Sequence, residues 1–531
     1  MSAILAPAPL EGPSPRDREP LFREADWSFA TIKRVYDVLE QIAREELELD
    51  IYPNQIEVIT AEQMLDAYAS IGMPLMYRHW SFGKHFAQDE NLYRQGMRGL
   101  AYEIVINSSP CISYIMEENT MTMQTLVMAH AAFGHNHFFK NNHLFKLWTD
   151  ARGILDYLEF AKTYIAHCED RHGLTAVESI LDAAHALMSH GVHRYPRKRP
   201  LDLRQEEKRA SQRQAYQEHI YNDLWRTVPD GKTPSRSEQA LQERKKLLGM
   251  PEENILYFLE KTAPRLKPWQ REILRIVRNI AQYFYPQKQT KVMNEGCATW
   301  VHYTLMKQLY DRGLLTEGSM LEFLHSHSSV VFQPEFDDPR FSGLNPYALG
   351  FAMMDDIARI CRTPTDEDRA WFPEIAGNGA PYATLRHAWA NYRDESFILQ
   401  YLSPALIRRF KLFALRNDAQ EPHLRVEHIH DDQGYRAIRQ ALARQYDLAR
   451  QEPVIQVVDV DLEGDRRLIL QHSIADGLLL EARDAKAVLH HVARLWGYEV
   501  ILQEVLDDGR IMRTHTADSR METAASATAS G

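Results

Sequence analysis

Apolar residues recur at spacings of three and four over seven long stretches, 27–47, 122–145, 148–166, 176–188, 273–285, 298–310 and 348–360. That rhythm returns side chains to one face of an α-helix, so each stretch reads as a helix whose apolar side must be covered by a neighbour. Before residue 410 few segments alternate with the period of two that marks a half-buried strand. After it the pattern changes to strands at 410–415 and 424–429, a helix at 432–451, strands at 454–462 and 466–472, a helix at 484–496 and a strand at 500–504. Gly464-Asp465 is a hairpin signal between the middle two strands. The fold class expected is mainly α, a large helical domain followed by a small α+β C-terminal domain.

A chain of 531 residues has room for two or three domains. Five of the 25 prolines fall in residues 1–20, and the chain closes on METAASATASG, so neither end can bury enough apolar surface to offset the entropy of ordering. The divisions that follow are a disordered tail at 1–22, the helical domain at 23–395, the α+β domain at 396–512 and a second tail at 513–531. The polar, basic stretch from 193 to about 250 reads as a surface arm.

Sixty-two Lys and Arg against 73 Asp and Glu leave a net charge of -11, which argues against a nucleic-acid partner. No basic-then-apolar leader and no run of eighteen apolar residues occurs, so no membrane span is expected. Cys111, Cys168, Cys297 and Cys361 never approach a Cys-x-x-Cys spacing, and a reducing cytoplasm is the expected compartment.

Phosphate loops, dinucleotide turns, nucleophile elbows and the His-Glu-x-x-His zinc string are all missing. What remains is a density of histidine. In MAHAAFGHNHFFKNNHLFK, His130 and His137 share a helical face but stand two turns, about 10 Å, apart. His130 and His135 diverge on a regular helix, yet a single π-turn near Phe133-Gly134 brings them into register. Imidazole suits zinc, iron and related ions. The alternative, core histidines bonded to carbonyls or carboxylates, stands beside that reading.

Asn294-Glu295-Gly296 looks like a helix start, after which Glu295, Thr299 and His302 line one face. Glu295 and His302 are expected to meet His130 and His135 in one pocket, because polar groups in so apolar a neighbourhood need buried partners. Further binding candidates are Glu103 and Asn107 in YEIVINSSPCISYIMEENT, the face Glu178, Asp182 and His185, and His325 and His327, read as alternating before a long loop.

Five strings, YEIVINSSPCISYIMEENT, HAAFGHNHFFKNN, LDAAHALMSHGVHRY, PQKQTKVMNEGCATWVHYTLM and QPEFDDPRFSGLNPYALGFAMMDDI, resemble in order those of the stage V sporulation protein R (SpoVR) family. The resemblance implies a cytoplasmic bacterial protein linked to spore-cortex formation in spore formers and to stress or stationary phase elsewhere. It also implies a serine protein kinase and a von Willebrand-like companion as partners. His130, His135, Glu295 and His302 fit the family pattern, whereas His137 stands where an acidic residue is expected. Two functions stay open. One is a metal-dependent hydrolase with a divalent ion, zinc or iron, on His130, His135 and His302, and with Glu295 as the catalytic carboxylate. The other is a non-catalytic scaffold for the kinase. The segment from about 410 to 510 is expected to dock partners, with any chemistry left to the helical domain.

Overall fold

The computed structural model describes residues 19–194 and 249–518, apart from 71–72, 74, 95–102, 417–421, 424, 429, 462–463 and 476. Most of the expected surface arm, and the outer parts of both expected tails, lie outside the described residues.

The apolar rhythm becomes helices with small shifts of boundary. The first spans Phe29–Glu45, is capped by Ser28 accepting from the Thr31 N–H, and buries Ile32, Val35, Leu39 and Ile42 at spacings of three, four and three. Its apolar face joins one core with Phe133, Phe138, Cys297, Val301, Leu349, Met353 and Trp389. The expected helix at 122–145 is composite: Met121–Met128 is α, Ala129–His135 is π, and Asn136–Asn141 is α again. Lys291–Asp311 and Glu317–Val330 pack on it, and Pro346–Arg362 packs in turn on Lys291–Asp311. His325 and His327 therefore lie on a helix and not on an alternating segment.

A small sheet went unread in the sequence. Strands β1 (Asn54–Ile59), β2 (Glu103–Ile106) and β3 (Cys111–Met116) form it in the order β1-β3-β2, with β1 parallel and β2 antiparallel to β3. Every residue of β3 is buried. A strand covered on both faces reads as a continuous apolar run and gives no period of two.

Internal contacts divide the chain into two compact units, one made of residues in 1–164 and 285–448, the other of residues in 165–284 and 449–531. This differs from a division at 396, because Phe397, Ile398, Leu402, Leu406, Ile407, Tyr435 and Ile438 all belong to the core of the first unit. That unit also carries a two-stranded sheet, β4 (Ala414–Arg416) with β5 (Arg425–His428), after which Asp431 caps a helix by accepting from the Gly434 N–H.

The second unit holds the α+β region. Strands β6 (Val454–Val460), β7 (Leu468–Ser473), β8 (Val500–Val505) and β9 (Ile511–Ala517) form a sheet in sequence order. The Ala482–Trp496 helix crosses over between the parallel pair β7 and β8 and buries Leu489, Val492, Leu495 and Trp496. The whole is mainly helical with an α+β C-terminal region, as the sequence pattern predicts.

Both expected tails are shorter than read. Leu21 and Phe22 are buried, with the Leu21 N–H donating to the Leu314 carbonyl at 2.9 Å. Residues 511–517 pair with β8. All four cysteines are free and buried. Among the described residues no helix is long and apolar enough to cross a membrane.

Candidate metal centre

Three separate stretches of the first unit aim side chains at one gap. The π segment supplies two of them. Its wider turn closes bonds five residues apart and brings His130 and His135 together, ring centroids 4.6 Å apart and planes at 85°. Gly134 permits this, since a Cβ there would stand 2.5 Å from the Ala298 Cα on the neighbouring helix.

The Lys291–Asp311 helix supplies Glu295. This helix begins three residues before the expected start, because the Asp394 carboxylate accepts from the Val292 and Met293 N–H groups at 2.9 and 2.8 Å. Glu103, the first residue of β2, closes the gap from the sheet.

His130 Nε2 lies 3.7 Å from Glu103 Oε1 and 3.8 Å from Glu295 Oε2, and His135 Nε2 lies 3.6 Å from Glu295 Oε2. These separations are too long for hydrogen bonds. His130 Nε2 is buried without a hydrogen-bond partner. Glu103, His130 and His135 each offer one ligand atom within 4.8 Å of the others.

The remaining nitrogens are fixed. His135 Nδ1 stands 2.9 Å from Asn294 Oδ1, an acceptor, so it carries the proton and leaves Nε2 as the lone pair toward the gap. His130 Nδ1 meets His302 Nδ1 at 2.9 Å, and His302 Nε2 meets His327 Nδ1 at 2.9 Å. His302 is thus beside the gap, with both ring nitrogens engaged by other histidines.

Charge at the site is uneven. Burial pushes the Glu103 carboxyl up, with Glu295 adding and His130 opposing. Burial also pushes Glu295 up, but His130, His135 and the Tyr347 hydroxyl outweigh it and hold Glu295 below its ordinary value. Burial alone would lower His130; Glu295 and Glu103 outweigh it and raise the ring above its ordinary value. His135 is pushed down to about 4 by burial and by His130.

Residues 26–451 match the family described as SpoVR like protein, and residues 453–507 match the SpoVR-like C-terminal domain. The chain belongs to the SpoVR family. It is 52% identical over 496 residues to the "Uncharacterized protein YcgB" of Escherichia coli (strain K12), covering 93% of this chain and 96% of that relative. No solved structure matches the chain.

Of the positions singled out in this SpoVR-family sequence, His130, His135, Glu295, Glu103 and His302 come together, and His327 is reached through His302. His325 is exposed on the same helix, since two residues turn a helix by about 200°. Asn107 lies just past β2 and donates from Nδ2 to Thr149 Oγ1 at 3.0 Å. Glu178, Asp182 and His185 lie on the Leu174–Ala186 helix, in the second unit and outside the cluster. His137 turns away: its Nδ1 stands 3.0 Å from the Asp50 carbonyl and its ring packs edge-on to Trp389.

Sequence reasoning missed Tyr347, whose ring lies over His130 at 6.4 Å and whose hydroxyl helps hold the Glu295 carboxyl below its ordinary value. Asn345 sets it there by capping the Pro346–Arg362 helix through the Tyr347 N–H at 3.0 Å, while its Nδ2 donates to the Val330 and Phe332 carbonyls. The Asn345-Pro346 pair was the available signal of that helix start.

Proposed function

We propose that this SpoVR-family chain is a metal-dependent hydrolase whose centre is built from Glu103, His130, His135 and Glu295. The observation that carries the reading is the His130 Nε2 atom, buried and without a hydrogen-bond partner, facing two carboxylates at 3.7 and 3.8 Å. Two ligands bonded at about 2.0–2.1 Å to a tetrahedral ion sit about 3.4 Å apart, close to those separations. A hydrogen-bonded core cluster would have closed to contact distance instead.

Two imidazoles with carboxylates suit zinc or iron. Bound there, the ion would act as a Lewis acid and activate water at neutral pH. The chain's own residues do the rest. His130 and His135 present fixed Nε2 lone pairs, and Asn294 holds the second of them in its tautomer. Glu103 and Glu295 provide one further ligand and one group for proton transfer. Tyr347 lies over the His130 ring and favours the ionised form of Glu295. Peptide or cell-wall precursor bonds are the substrate class in keeping with the spore-cortex link that the family resemblance implies.

Elemental analysis of the purified chain is the test. About one equivalent of zinc or iron is expected in the wild type, and His135→Ala should lose it while keeping its circular dichroism. A metal-free wild type that stays metal-free after incubation with either ion overturns the reading and leaves the scaffold, acting with a serine protein kinase, in its place.

A further inference from the structure

We propose that His302 and His327 are positioning residues for this centre, two neutral imidazoles whose hydrogen bonds run in one direction and hold His130 with its Nε2 lone pair in the gap. The inference rests on the metal reading and assigns to these residues a task other than ligation.

The argument is one of hydrogen-bond polarity. A contact between two ring nitrogens needs one donor and one acceptor, and a neutral imidazole has one of each. His130 can offer a lone pair from Nε2 only if its proton is on Nδ1. That proton then points at His302 Nδ1, 2.9 Å away, which has to be the acceptor. His302 therefore carries its own proton on Nε2 and donates it to His327 Nδ1, also at 2.9 Å. His327 is left with its proton on Nε2. The opposite polarity would put a proton on His130 Nε2, where no acceptor lies within hydrogen-bond distance. One choice at the gap thus fixes three rings.

Packing holds the rings in these orientations. His302 is edge-on to Phe323, with centroids 5.9 Å apart at 90°. His327 lies against Tyr303 and Phe351, with centroids 5.0 and 4.8 Å away. At 2% and 6% exposure, His302 and His327 are both shielded from water, which favours their neutral forms. Partners that orient a ligating histidine in this way commonly change metal affinity about 10–100-fold when removed.

The experiment measures zinc affinity of the full chain by competition with a chelating dye. His327→Phe keeps an aromatic ring among Tyr303, Phe323 and Phe351 but removes the acceptor for His302, and a loss of about 10–100-fold is expected. His327→Asn places an amide oxygen near the former Nδ1 and should recover most of that loss. A His327→Phe chain that binds zinc as tightly as the wild type overturns the proposal. Nitrogen-15 spectra of the zinc-loaded wild type, labelled at histidine, supply a check independent of any variant: His302 should show a bare Nδ1 and a protonated Nε2, and the reverse tautomer also overturns it. A wild type that takes up no zinc or iron refutes the metal reading itself, which these other outcomes leave standing.

Discussion

Gly296 and Gly350 meet backbone to backbone where the Lys291–Asp311 and Pro346–Arg362 helices cross, so close that a Cβ on Gly296 would stand 2.6 Å from the Gly350 Cα. The crossing has a chemical consequence. Glu295 precedes one glycine and Tyr347 lies three residues before the other, so the contact sets where the carboxylate and the tyrosine ring that covers His130 stand relative to each other. Gly296→Ala must push the helices apart against main chain and not against a yielding side chain. A loss of about 1–3 kcal/mol or more is expected in chemical denaturation followed by circular dichroism. Metal content should fall with it, because Glu295 moves with the backbone.

Asn294 is the partner that holds His135 in its tautomer, through the 2.9 Å contact of Oδ1 with Nδ1. Asn294→Ala leaves that nitrogen without its acceptor and lets the ring turn. If the cluster binds metal, zinc affinity should drop about 10–100-fold while the melting temperature moves little. Asn294→Asp keeps an acceptor at the same place and is expected to bind more tightly than the alanine variant. Dye competition on the two variants ranks them, and equal affinities would remove Asn294 from the site.

How far the sequence could be read follows from which interactions are local. The five-residue interval from His130 to His135, with Ala131, Ala132 and Gly134 between, pointed to a π turn because a regular helix would have separated the rings. Glu103 was visible as a polar residue in apolar surroundings, but not as the partner of His130. Its strand has four residues, and the register that places it depends on β3, whose six buried residues give no alternation. The start of the Lys291–Asp311 helix was misplaced for a similar reason. Its cap is the Asp394 side chain, about a hundred positions along the chain, while Asn294 looked like a local cap and is instead inside the helix. Strand β9 escaped because IMRTHTA is mostly exposed and polar, and it is recognisable only through its pairing with β8.

Glu504 predicts an acid limb to the stability of the second unit. Its fully buried carboxylate accepts from Arg513 Nε at 2.6 Å, from His515 Nε2 at 2.8 Å and from the Leu480 N–H at 2.8 Å. Burial pushes the carboxyl up, but these partners outweigh it and hold the group down at about 2, against an ordinary value of 4.5. A carboxylate with a depressed pKa in the folded state contributes stability above its unfolded value and loses it as pH falls toward the folded one. Stability should therefore decline between about pH 4.5 and pH 2. Glu504→Gln should flatten that limb and cost about 3 kcal/mol at neutral pH, by leaving Arg513 without its carboxylate. Denaturant titrations at several pH values test both statements, and a Gln variant with an unchanged acid limb would assign the decline to other groups.

His137 offers a control inside the same histidine-rich string. It is 3% exposed, its Nδ1 is engaged by the Asp50 main chain and by Asn141 Nδ2 at 3.2 Å, and its ring rests against Trp389. Burial pushes it down to about 4, so it is neutral at physiological pH. Two residues from His135, it turns to the opposite side of the chain, and its work is to fasten Asp50 to the Asn136–Asn141 helix. His137→Asn should lower stability by about 1–2 kcal/mol through the lost packing and hydrogen bond, yet leave metal content at the wild-type level. Elemental analysis alongside thermal unfolding separates the two effects. A variant that folds but has lost its metal would place His137 among the ligands, and would move the centre toward Asp50.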